Sequence, residues 1–92
     1  LYFGDLDTHG LAIISELRKI YSQTESVMMD VETFMKYRHL AVSEPSQVKR
    51  MPDCLTEREL RLLEVLCETK GRLEQERIPI ADINHELKIL LN

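Results

Sequence analysis

Along the first half of the chain an apolar rhythm alternates steps of four and three through Leu6, Gly10, Ile13, Leu17, Ile20, Thr24, Val27, Val31, Phe34, Arg38 and Ala41. This is a heptad pattern, the mark of a helix that buries one stripe. A second row, Ile14, Tyr21, Met28, Met35 and Val42, lies beside it at intervals of seven and widens the apolar face beyond a two-stranded seam. The pattern predicts one helix over about 7–43, roughly 55 Å long at about 1.5 Å per residue. Its weak point is the polar run Ser22-Gln23-Thr24-Glu25-Ser26, where Ser22 and Glu25 have capping-box spacing. A break near Thr24 would give two shorter helices, but the three-four spacing keeps its phase across the run and favours continuity.

Pro45 and Pro52 disfavour helix in the residues before them and bracket a loop over 44–55. The next start signal is strong: Thr56 as N-cap, Glu59 three residues later, and Leu55 with Leu60 at hydrophobic-staple positions. A helix over about 57–77 follows, its core face running through Leu60, Leu63, Leu66 and Cys67 with support from Leu62 and Leu73. Lys70-Gly71 is a stop signal, so the end falls between Gly71 and Arg77. Pro79 suits the first turn of a last helix over about 79–91, striped by Ile80, Ile83, Leu87 and Leu90 with Ile89 and Leu91 alongside. No strand-like alternation is visible. The expected fold is therefore all-α: a long N-terminal heptad-patterned helix packed with a C-terminal helical hairpin, a three-helix bundle, or four-helix if the first segment breaks. Leu1-Tyr2-Phe3-Gly4 resembles the remnant of a protease site in an expression tag, which leaves 5–92 as a single helical domain.

Composition narrows the function. Among 92 residues, 43% are hydrophobic and 30% charged, too apolar for a disordered tail and too interrupted by charge for a membrane span. The net charge of -4 opposes a broad nucleic-acid face, whose affinity rests on clustered Lys and Arg. Cys54 and Cys67 show no Cys-x-x-Cys pairing, and no signal peptide opens the chain. Free thiols in an intracellular compartment, cytoplasm or nucleus, are expected.

Candidate chemistry is sparse. His9, His39 and His85 lie far apart in sequence, and Asp82, Asn84, His85 and Glu86 would splay around a helix. No zinc or calcium spacing, phosphate-cradling glycine loop or nucleophile motif is present. The expectation is a non-enzymatic chain without metal or cofactor. The stretch from Leu55-Thr56-Glu57-Arg58-Glu59-Leu60 to Lys70-Gly71 resembles the opening helix of LuxR-type helix-turn-helix output domains, which implies a nucleic-acid-binding alternative using Arg58, Arg61, Lys70, Arg72 and Arg77. The chain departs from that family after Gly71, where Arg72 to Pro79 intervene before the next helix.

The wide apolar face of the first segment makes a protein partner the favoured reading. Ile13, Leu17, Ile20, Tyr21, Val27, Met28, Val31, Phe34 and Met35 are the candidate interaction residues of a self-association or hetero-complex module, with dimerisation through the first helix as its mechanism.

Overall fold

The structure, a computed structural model, describes residues 2–44, 46, 47 and 51–91. Pro45 and residues 48–50, which belong to the loop expected over 44–55, lie outside the described residues, as does Leu1. The protein is mostly helical, with helices α1 (Thr8–Ile20), α2 (Val31–Lys36), α3 (Glu57–Thr69) and α4 (Ile80–Leu91). Two-residue strands β1 (Val42–Ser43) and β2 (Gly71–Arg72) pair antiparallel, with Val42 opposite Arg72 and Ser43 opposite Gly71.

The single helix expected over about 7–43 does not form. The longest dimension of the molecule is 37 Å, too short for a helix of roughly 55 Å at about 1.5 Å per residue. Local hydrogen bonding explains the break. Thr24 turns back on Tyr21, its N–H and its hydroxyl both donating to the Tyr21 carbonyl, and the Arg18 Nε donates to the Thr24 carbonyl. Tertiary pairing then holds residues 25–27 extended: the Tyr2 N–H donates to the Glu25 carbonyl at 2.7 Å, and the Val27 N–H to the Tyr2 carbonyl at 2.8 Å. Met28 adopts φ 58°, a left-handed conformation that a non-glycine residue holds only when its surroundings enforce it. Asp30 restarts the helix, its carboxylate accepting from the Thr33 N–H at 2.8 Å.

The expected start of α3 is present in full. The Thr56 hydroxyl accepts from the Glu59 N–H, and the Glu59 carboxylate accepts from the Thr56 N–H. Its buried face is Glu59, Leu62, Leu63 and Leu66, so Leu60 and Cys67, expected in the core, are exposed. The helix ends at Thr69 rather than between Gly71 and Arg77, because Lys70 takes the left-handed cap conformation, φ 51°. Gly71 then passes so close to the core that a Cβ there would meet the Phe34 ring at 2.7 Å.

Leu6 lies at the centre of the core, exchanging backbone hydrogen bonds with Leu73 at 2.8 and 3.1 Å. Around it pack Leu11, Met29, Phe34, Tyr37, Leu62, Leu63, Leu66, Leu73 and Ile78. The segments around Leu6 and Leu73, far apart in sequence, thus meet in the interior through a short extended pairing that the helical rhythm does not announce. Helix α4 rests on this core by one side. Tyr37 donates a hydrogen bond to Asp82, Ile83 packs against the core, and Ile80, Ile89, Leu90 and Leu91 are exposed.

Candidate functional site: an anionic cleft around Arg72

Residues 5 to 7 run extended beside Leu73, and successive side chains of an extended chain point to opposite faces. Leu6 therefore enters the core while Asp5 and Asp7 share the other face, which opens into a cleft of about 520 Å³. Asp7 is also the N-cap of α1, accepting from the Gly10 N–H at 2.6 Å. Gly10 allows the first turn of that helix to press against the aspartate segment: a Cβ at this position would lie 2.1 Å from the Asp5 carbonyl oxygen. No other residue permits that approach.

The two short strands bring the rest of the site. Pairing of β1 with β2 places Arg72 beside Glu44, whose own N–H donates to the Lys70 carbonyl at 2.7 Å. Each of the three carboxylates is tied down by one oxygen. Asp5 Oδ1 accepts from the Gln75 N–H at 3.0 Å, Asp7 Oδ1 from Gly10, and Glu44 Oε1 from the Ser46 N–H at 3.0 Å. Each turns its second oxygen to the same guanidinium. Asp5 Oδ2 is 3.6 Å from Nη2, Asp7 Oδ2 is 3.3 Å from Nε, and Glu44 Oε2 is 3.2 Å from Nη1. Glu74 adds a fourth carboxylate at 3.8 Å.

One cation thus faces four anions, and the neighbourhood carries an excess of negative charge. Partial burial works to lower the pKa of Arg72, but Asp7, Glu74, Asp5 and Glu44 together outweigh it and hold the guanidinium above its ordinary value. At the cleft wall, burial first and then the charges of Asp5 and Asp7 raise the Tyr2 phenol. His9, on the first turn of α1, hydrogen-bonds the Ser46 carbonyl at 2.7 Å and closes the side next to Glu44. Among the described residues, no three His, Cys, Asp or Glu side chains are close enough together to hold a metal ion by themselves.

The match that identifies the chain covers residues 1–87 and is to the family described as Wadjet protein JetD, C-terminal. The chain belongs to that family. No curated protein matches it. The JetD match includes Tyr2, Phe3 and Gly4, expected as part of a tag remnant, and Tyr2 is hydrogen-bonded into the fold. It also places the chain in the C-terminal part of a larger protein. Where the LuxR-type resemblance calls for a second helix after α3, this JetD-family chain has β2 and a 3₁₀ turn over Gln75–Arg77, and Arg72 is engaged by carboxylates.

The interaction residues expected from the heptad pattern do not share a surface. Val27 and Phe34 are buried; Leu17, Met28 and Val31 are half-buried; Ile13, Ile20, Tyr21 and Met35 are exposed. They fall on two helices and the turn between them. A different set forms the cleft. Of Asp5, Asp7, Glu44 and Arg72, sequence reasoning singled out only Arg72, and for a different role; the pair Asp5 and Asp7, flanking an apolar residue just before a helix, is the signal that could have found the cleft. No helix among the described residues is long and apolar enough to cross a membrane.

Proposed function

We propose that the cleft binds a divalent metal cation together with a phosphate ester, serving metal-assisted phosphoryl chemistry within the larger Wadjet protein. The observation that carries this reading is the convergence of three anchored carboxylates, each presenting its second oxygen to one cationic group. Hard cations such as Mg²⁺ take oxygen ligands, and Mg²⁺ commonly uses only one or two carboxylates, completing its shell with water and phosphate oxygens. Asp5 and Asp7 supply such a pair on a backbone fixed by the Gly10 contact. Glu44 supplies a third acidic group for outer-sphere water or proton transfer, and Arg72 supplies a donor fork suited to phosphate. When bound, the cation would polarise phosphoryl oxygens and lower the pKa of its water. The reading departs from the non-enzymatic, metal-free expectation of the sequence. It is tested by titrating Mn²⁺ into the protein and following paramagnetic broadening of backbone resonances. Broadening confined to residues 4–10, 44 and 72–75 supports it; broadening spread over the surface acids, or unchanged in Asp7→Asn, sinks it.

A second reading concerns partners. JetD belongs to a multi-protein Wadjet complex, and the uncovered apolar side of α4, with Ile80, Ile89, Leu90 and Leu91 exposed, favours a protein-docking role for this helix over the seam first expected on helix one. Self-association is the finer form of this reading. Sedimentation of the wild type and of Ile89→Ser with Leu90→Ser separates the two: a wild-type dimer lost in the double variant supports self-association, and a monomer at high concentration removes it.

A further inference from the structure

Helix α4 is attached differently from the other helices. α1 buries five residues, α3 buries four, and even the six-residue α2 buries Phe34, whereas none of the 12 residues of α4 is buried. Its attachment lies at its N-terminal end. Ile78, just before the helix, is buried in the core, and Ile83 packs against that core. The hydroxyl of buried Tyr37 donates to Asp82 Oδ2 at 2.5 Å, the one side-chain hydrogen bond between α4 and the body among the described residues. Beyond Ile83 only Leu87 is half-buried, and the helix runs out with Ile89, Leu90 and Leu91 exposed.

A cavity of about 290 Å³ lies between this far end and the body. Glu86 and Leu90 line it from α4, and Lys36, Arg58 and Met28 from α2, α3 and the turn before α2. Lys36, Arg58 and Glu86 form no ion pair among the described residues. The two sides therefore carry opposite charges and apolar groups that are not joined.

We infer that α4 is a hinged strap, latched by Tyr37 to Asp82 and pivoting at Ile78, whose far end swings across the cavity to carry Glu86 toward Arg58 and Lys36 and Leu90 toward Met28. Pro79 fixes its own backbone angle and leaves the bending to Ile78, which is extended between the 3₁₀ turn and the helix. Neither position dominates. Burying Leu90 favours closure, the exposed ion pairs add little, and ordering the long side chains opposes it. Closure withdraws Leu90 from the exposed row of α4, so the swing sets how much apolar surface the helix presents.

Hydrogen–deuterium exchange and methyl NMR test the two parts. Amides 84–91 are expected to exchange by local opening, at rates insensitive to low urea, while amides 62–66 of α3 exchange only with global unfolding. Tyr37→Phe, which keeps the ring, and Asp82→Asn, which leaves the core untouched, should each speed exchange over 84–91 by about ten- to hundredfold, the scale of one hydrogen bond to a charged group, and change α3 far less. At low ionic strength a nuclear Overhauser contact between the Leu90 and Met28 methyl groups is expected, weakened by salt and by Glu86→Gln. Exchange of α4 and α3 as one unit, with equal urea dependence, overturns the strap. So does a far end that opens locally but never brings Leu90 to Met28 at any ionic strength.

Discussion

Glu59, with its side chain sealed from solvent, is held by Arg18 from a different helix through both of its carboxylate oxygens. The same carboxylate completes the capping box of α3 and accepts a hydrogen bond from the Ser26 hydroxyl. Three parts of the chain, α1, the turn before α2, and the start of α3, therefore meet at one buried anion.

Removing Arg18 leaves that anion uncompensated. Arg18→Ala is expected to destabilise the protein by about 3–5 kcal/mol, the range for breaking one side of a buried pair. Urea denaturation at neutral pH checks the value, and a loss under about 1 kcal/mol would show the pair to be a surface interaction.

The same pair sets an acid limit. Burial is the largest influence on Glu59 and works to raise its pKa, but hydrogen bonds from Arg18, Ser26 and Thr56 together bring it below its ordinary 4.5. A carboxylate with a lowered folded-state pKa stabilises the fold above the unfolded value and loses that contribution as pH falls through the folded one. Stability should decline as pH drops below about 4.5, more steeply in wild type than in Glu59→Gln. Parallel melting curves of the two proteins at pH 6 and pH 3.5 provide the comparison; equal slopes would contradict the assignment.

Asp7 has two duties that substitution separates. Asp7→Asn keeps a side-chain oxygen for the Gly10 N–H and should remain within about 0.5 kcal/mol of wild type, whereas Asp7→Ala loses the cap at a cost of about 0.5–2 kcal/mol. Both remove the charge. Thermal unfolding is expected to rank the two apart while Mn²⁺ binding falls in both.

Gly10→Ala should be worse than its size implies. Its Cβ would lie 2.1 Å from a backbone oxygen, so either α1 or the aspartate segment must shift. Overpacking of this kind costs about 1–3 kcal/mol, and cation binding should weaken beyond what stability loss explains. Near-wild-type values of both would show that the approach is looser than described.

The start of α3 was legible because its information is local: Thr56 and Glu59 satisfy each other within one turn. The first segment misled for the opposite reason. Its heptad rhythm passed through Gly10, Thr24 and Arg38, which carry no apolar weight, and it ran across a turn whose stability comes from Tyr2, far away in sequence. Phe34 and Ile20 occupy equivalent places in that rhythm yet are 1% and 74% exposed. Phe34→Ala is accordingly expected to cost about 3–5 kcal/mol, and Ile20→Ala no more than about 0.5 kcal/mol; equal losses in chemical denaturation would restore the long-helix reading.

The cleft was not read from the sequence. Asp5 and Asp7 bracket Leu6 in the alternation of an extended segment, but three residues are too few to stand out as a strand, and the residues before them resembled a tag. Glu44 and Arg72 meet through strands of two residues each, a length at which propensity carries no signal.

The brief ladder between β1 and β2 also dictates an order of events during synthesis. Asp5, Asp7 and Glu44 emerge from the ribosome well before Arg72, and folding of a nascent chain proceeds from its N-terminal side. Until β2 docks, Asp5, Asp7 and Glu44 lack the counter-charge that Arg72 gives them in the folded cleft.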